Sequence, residues 1–323
     1  MKFLVTSDFH GNHEHINELQ QIVAIHKPDA FFYVGDLSPG RWVFETPESA
    51  SEYLETKFFP VIRALPVKHK YVMPGNTDFI TISKTFQEKY QDPAECKFMM
   101  DSSLQLEQFN LVFLSTVGYT THCLKDTEAI NKFETNQSRL EESYKESHIF
   151  SRDIPGEVSD VVIASDTQNY DLKYFEVFPN YHAITELYKS RLNYSIYDRL
   201  KNLIDGKPHT IVFSHSPPFN TCADMVSRKN SQHCGSMDVR KAVEDFQPLA
   251  VFSGHIHQSV FCSGKFRDKI NETDIFTTGN TGVDAKYMNK IAVLVYDTET
   301  KEAERFVYDL KGEFAYTLNR IFD

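Results

Sequence analysis

Short β-rich apolar runs alternate with amphipathic stretches of helical period along most of this chain, and that alternation limits its architecture more than any other feature. Such a pattern is the signature of a layered α/β domain. Lys2 to Ser7 reads as the first strand. A helix follows from His13 to His26, with Ile16, Leu19, Ile22 and Val23 on one face and Lys27-Pro28 closing it. Ala30 to Val34 gives a second strand. Pro47 to Ala64 sets Ala50, Tyr53, Leu54, Phe58 and Ile62 at helical spacing, Lys70 to Met73 is a further strand, and Ile80 to Tyr90 is a weaker helix. Later strands are predicted at Leu111 to Thr116, His209 to Ser214, Leu249 to Ser253 and Ile275 to Thr278. A closing hairpin pairs Lys290 to Tyr296 with Glu304 to Tyr308. Ahead of the strand at His209, the positions Ile184, Leu187, Tyr188, Leu192, Ile196, Leu200 and Leu203 define a helix, with Gly206 placed to cap it.

The alternation lapses between Gly118 and about Asn180. Asp126 to His148 reads as a charged helix, and Ser151 to Asp171 as a polar loop broken by Pro155 and Gly156. Residues 119–180 are therefore expected to be an insertion in a single domain spanning residues 1–323, because both ends rejoin the αβ pattern without a linker. The insertion is read as a lid, a partner surface or a plain surface excursion.

The chemistry-bearing residues fall at the carboxyl ends of the predicted strands, where open α/β sheets place their ligands. Ser7-Asp8-Phe9-His10-Gly11-Asn12 follows the first strand and Gly35-Asp36 the second. Gly75-Asn76-Thr77-Asp78, Ser214-His215-Ser216-Pro217-Pro218 and Gly254-His255-Ile256-His257 follow three more. Any one of these pieces reads as an ordinary polar turn. Together, the four imidazoles of His10, His215, His255 and His257 with two aspartates and an asparagine would leave several polar groups unexplained in a bland core, yet they suit divalent cations.

Charge and cysteine content narrow the partners. Lys and Arg total 34 against 45 Asp and Glu, a formal net charge of −11, which opposes approach to a nucleic-acid backbone. The sequence has no run of about 18 apolar residues that could span a bilayer, so no membrane partner is expected. Met1 to Val5 is too short an apolar stretch for a signal peptide before Asp8 interrupts it. The five cysteines are odd in number, widely spaced and without a C-x-x-C pair, which fits reduced thiols in a cytoplasmic protein.

The ordered set of strand-end motifs resembles the calcineurin-like metallophosphoesterase superfamily, whose pattern is D-x-H, G-D, G-N-H-[DE], H and G-H-x-H. The resemblance extends over most of the chain outside the insertion and implies a four-layer α/β/β/α sandwich with a two-metal centre at the rim. Carried over position by position, Asp8, His10, Asp36 and His257 would hold one metal, and Asp36, Asn76, His215 and His255 the other, with Asp36 bridging. The implied cofactors are two divalent metal ions, with manganese, zinc and iron all compatible with mixed His, Asp and Asn ligation. The implied activity is hydrolysis of a small phosphomonoester or phosphodiester by attack of a hydroxide bridging the two metals. Asn76 adds a neutral carbonyl oxygen where a phosphate must enter, and it is also read as a substrate contact. Asn12 is read as a phosphate contact or a helix N-cap. An extended Gly254-His255-Ile256-His257 segment would point both imidazoles the same way, one toward each metal.

Two positions depart from the family pattern. Thr77 stands where strongly active relatives carry a histidine that protonates the leaving oxygen, so the catalytic acid is left unassigned, with His13, His15 and His122 as candidates. Pro39 stands where purple acid phosphatases carry an iron-ligating tyrosine. Thr77 and the insertion together raise an alternative, a catalytically weak or inactive scaffold of the same fold that binds a protein partner through residues 119–180. A nuclease of the same superfamily is disfavoured by the acidic balance.

Overall fold

The structure is a computed structural model that describes residues 1–39, 47–118, 133, 195–279, 290–310 and 314–318. Most of the predicted insertion, including its charged helix, lies outside the described residues, as do Cys123, His122 and the start of the helix predicted from Ile184.

Two sheets carry the architecture. In the first, the strands Lys2–Thr6 (β1), Ala30–Val34 (β2), His69–Met73 (β3) and Lys97–Phe98 (β4) run parallel. Lys290–Asp297 (β13) joins β1 antiparallel, and Glu302–Asp309 (β14) and Phe314–Leu318 (β15) extend that edge, giving the order β15-β14-β13-β1-β2-β3-β4. The second sheet is built from Ser102–Leu106 (β5), Phe109–Leu114 (β6), Thr210–Ser214 (β7), Ala250–Ser253 (β10), Arg267–Ile270 (β11) and Thr273–Thr277 (β12), in the order β11-β12-β10-β7-β6-β5. Its four inner strands are parallel, and its two edges are antiparallel. Met225–Ser227 (β8) and Gln232–His233 (β9) form a separate small ribbon.

The period-two alternation of side chains divides the interior into three apolar layers. Phe3 and Val5 of β1, with Phe32 and Val34 of β2, face the second sheet and pack on Phe113, Phe213 and Phe252. Phe32 and Phe213 stack at 4.1 Å between ring centroids. The alternate residues Leu4, Phe31 and Tyr33 face outward, against Ile16, Leu19 and Val23 of helix α1 (His13–His26) and against Phe58 and Phe59. Those two rings lie on a helical run that passes from α2 (Pro47–Tyr53) through a π turn into α3 (Phe59–Ala64), with α4 (Ile80–Lys89) beside it. On the far side of the second sheet, Val112, Val212 and Val251 meet Leu200 of α5 (Ile196–Ile204) and Val239 and Val243 of α6 (Met237–Phe246). This is the four-layer α/β/β/α arrangement the family pattern implies.

The predicted strands and helices are present within the described residues, with ends displaced by one or two positions. Several elements were not predicted, among them β8, β9, β15, the short helix Ser259–Ser263 and four more. Of those four, β4 is two residues long, β5 is a polar edge strand, and β11 is a polar edge strand as well. The fourth is α6, although Val239, Ala242, Val243 and Phe246 do carry a helical period behind the N-cap Ser236. The four cysteines among the described residues form no disulfide. No described helix is long and apolar enough to cross a membrane.

Candidate metal centre

The parallel strands β1, β2, β3, β7 and β10 all end on the same rim, and the turn after each delivers polar side chains into one buried space. Asp8, His10, Asp36, Asn76 and His215 are each 5% exposed or less, and the His257 side chain is 23% exposed. These turns are tight. Asp8 (φ 59°), His10 (φ 47°), Asp36 (φ 58°) and His255 (φ 68°) all have left-handed backbones, a conformation that costs a non-glycine residue about 1–2 kcal/mol. Amide bonds hold them there: the Asp8 amide donates to the Gly35 carbonyl (3.1 Å), the His10 amide to that of Asp36 (3.1 Å), and the His255 amide to Asp8 Oδ1 (2.9 Å). Gly35 is required by close approach, since a Cβ there would lie 2.1 Å from His215 Nδ1.

Among the described residues, one donor atom each from Asp8, His10, Asp36 and His257 lies within 4.8 Å of the others. His10 Nε2 and His257 Nε2 are 2.8 Å apart, His10 Nε2 is 3.4 Å from Asp36 Oδ2, and His257 Nε2 is 3.6 Å from Asp8 Oδ1. Donor atoms that share one divalent ion at about 2.1 Å stand about 3–3.5 Å from each other, so this spacing suits a common cation. A second group adjoins the first. Asn76 Oδ1 lies 3.0 Å from His215 Nε2 and 2.8 Å from His255 Nδ1, and His215 Nε2 is 3.3 Å from Asp36 Oδ1. His215 Nδ1 sits 3.0 Å from the Val34 carbonyl, which can only accept, so Nδ1 carries a proton and Nε2 is the nitrogen turned to the cluster.

The electrostatics follow from burial and pairing. Burial opposes the charge of Asp36, but the His215 and His10 imidazoles outweigh it and hold that carboxyl well below the usual range. Asp8 is likewise lowered, burial being outweighed by its hydrogen bond to His257 and the charge of His215. Burial also opposes a charge on His215, yet Asp36 raises it to about 9. His10 falls to about 4 through burial, and His255 to about 3 through burial and the adjacent His215. Two ionised carboxylates beside the neutral imidazoles of His10 and His255 are donors of the kind that bind divalent transition metals, and a cation binding there would displace the proton held by His215.

All seven sequence-predicted metal ligands thus converge in one cluster. The expectation of an extended Gly254–His257 segment is corrected. His255 is left-handed and the Ile256 amide donates to the Gly254 carbonyl at 2.8 Å, so the two imidazoles diverge because the chain turns between them. Asn12 caps α1, its Oδ1 accepting from the His15 amide at 3.3 Å. Among the histidines considered for proton transfer, His15 is buried with its ring 5.3 Å from that of Phe9, and His13 is exposed. The sequence reading missed the role of Asp78. Its buried carboxylate accepts from the amides of Gly75 (2.8 Å), Leu37 (3.0 Å) and Ser38 (2.9 Å), tying the Asp36 turn to the Asn76 turn. Burial and the nearby Asp36 charge push Asp78 up to about 6.

Residues 1–259 match the calcineurin-like phosphoesterase family, and the chain belongs to that family. An uncharacterised protein of Methanocaldococcus jannaschii, MJ1162, is 39% identical over 80 residues, a stretch that covers 24% of this chain and 34% of that relative. The chain therefore matches about a third of that relative's length. A solved crystal structure superposes with a TM-score of 0.57 at 14% identity, covering 94% of this chain and 97% of its own. TT1561 of Thermus thermophilus gives 0.49 at 12% identity, covering 96% and 98%.

Proposed function

We propose that this protein is a metal-dependent phosphoesterase that hydrolyses a small phosphomonoester or phosphodiester. Asp8, His10, Asp36 and His257 would hold one divalent cation, and Asp36, Asn76, His215 and His255 a second, with Asp36 shared. When bound, the two cations would polarise the phosphoryl group and supply a nucleophile by lowering the pKa of a water near neutral pH. The protein's own part is positioning. Strand ends fix the donor side chains before any ligand arrives, the Val34 carbonyl sets the His215 tautomer, and Asp78 locks two of the turns together. Asn76, a neutral donor, keeps the local charge low where an anionic substrate enters. Asn12, at the N-terminus of α1, is a proposed phosphate contact, a position where helix amides favour anions.

The observation that supports this reading most is the convergence of donor atoms from five separate turns, with neighbouring donors 2.8 to 3.6 Å apart. Purified protein is expected to release nitrophenol from mono- or bis-nitrophenyl phosphate when manganese is added, with Asp36→Asn reducing the rate roughly 1,000-fold, equivalent to about 4 kcal/mol of barrier. Equal rates with and without manganese, or in Asp36→Asn, would contradict it.

One observation favours the scaffold alternative. The Thr77 hydroxyl donates to Asp36 Oδ1 at 2.8 Å and so has no proton to offer a leaving group. In that reading the cations bind without detectable turnover across a substrate panel, and deletion of residues 119–180 abolishes partner capture.

A further inference from the structure

We propose that Thr77 is a positioning residue for cation binding: its hydroxyl fixes the plane of the Asp36 carboxylate and thereby governs occupancy of the half formed by Asn76, His215 and His255. This inference rests on the two-cation reading above.

The two oxygens of Asp36 have different surroundings. Oδ2 lies 3.4 Å from His10 Nε2, while Oδ1 lies 3.3 Å from His215 Nε2. An aspartate carboxylate turns about a broad, nearly two-fold torsion, so its rotamer alone does not hold this plane. Thr77 does hold it. Its amide (3.0 Å) and its hydroxyl (2.8 Å) both donate to Oδ1. Thr77 is 5% exposed, so bulk water does not reach in to replace the hydroxyl. Gly75 leaves the room this orientation needs, because a Cβ there would lie 2.2 Å from the same Oδ1. The position that departs from the family histidine therefore holds a donor that acts on the shared carboxylate. Partners that orient a metal-binding side chain in this way typically change affinity by about 10- to 100-fold when removed.

The test is a manganese titration of the chelator-stripped full-length chain by calorimetry, on wild type, Thr77→Val and Thr77→Ser. Wild type should show two binding steps. Thr77→Val should weaken one of them roughly ten-fold and leave the other unchanged, and Thr77→Ser, which keeps the hydroxyl, should restore both. In an Asn76→Ala background, where the affected half is already impaired, Thr77→Val should leave the remaining step untouched. Electron paramagnetic resonance at limiting manganese should show coupled ion pairs in wild type and Thr77→Ser and isolated ions in Thr77→Val. If Thr77→Val does not fold, Thr77→Ala carries the same comparison. Two unchanged steps in Thr77→Val, equal weakening of both, or no rescue by Thr77→Ser would overturn the inference while leaving the two-cation reading intact. A wild-type chain with fewer than two steps would overturn both.

Discussion

Ala250 to Phe252 and Gly254 to His257 are neighbours in the chain and opposites in chemistry. The first three residues are fully buried apolar strand, Ala250 and Phe252 facing the first sheet and Val251 the helices, with Phe252 stacked 5.4 Å from Phe213 and 5.0 Å from Phe276. The next four form a tight turn with a left-handed histidine beside two buried carboxylates. β1 repeats the contrast, passing from Phe3 and Val5 to Asp8 and His10. The strand middles gain from burial at roughly 25 cal/mol per Å². The strand ends concentrate charge and unfavourable backbone conformations, features that cluster at functional sites and persist where the surrounding structure over-determines them. Stability and chemistry are thus separated by about one turn of chain, and each strand supplies both.

The comparison predicts that the two regions fail differently. The largest expected effect is in the middle. Phe213→Ala removes a ring that stacks on Phe32, Phe113 and Phe252 and should lower unfolding free energy by about 3–5 kcal/mol in urea, with manganese affinity of the folded protein unchanged. Loss of cation binding without loss of stability would reverse the assignment.

Gly35→Ala probes the boundary between the regions. The residue has φ 92°, and its new Cβ would collide with the His215 ring. Strain and overpacking together should cost about 2–3 kcal/mol, and one of two manganese steps should disappear. Retention of both steps would show that His215 is not needed where it sits.

The smallest effect lies at the opposite end of β1, beside Lys2. Burial, and then the Lys2 ammonium, push His26 down to about 4, and its ring packs 4.4 Å from Phe306. The fold therefore favours neutral His26. Its contribution should be fully present above about pH 6.5 and lost as pH falls toward about 4, on the order of 1 kcal/mol after allowance for its partial exposure. Urea midpoints for wild type should fall more steeply over that window than those of His26→Gln, and parallel curves would refute it.

Much of this arrangement is legible in the sequence because the strand-end motifs are short and local. Asp8-Phe9-His10 and Gly35-Asp36 each sit immediately after an apolar run, so the strand assignment also places the donors. Other features depend on contacts between distant turns and leave no local pattern. The left-handed turn that separates His255 from His257 is one, since no glycine occupies the left-handed position. The carboxylate of Asp78, which joins the turns at residues 36–38 and 75, is another. Edge strands β5 and β11 escape notice because one polar face and few apolar residues give no clear period. The helix at Met237–Phe246 is legible, since Val239, Ala242, Val243 and Phe246 recur at helical spacing behind Ser236.

Anomalous X-ray scattering from crystals of the manganese-loaded protein tests the central claim most directly. The account predicts two peaks at the strand-end rim, one among Asp8, His10, Asp36 and His257 and one among Asp36, Asn76, His215 and His255. An empty rim, or manganese bound only elsewhere on the molecule, would contradict it.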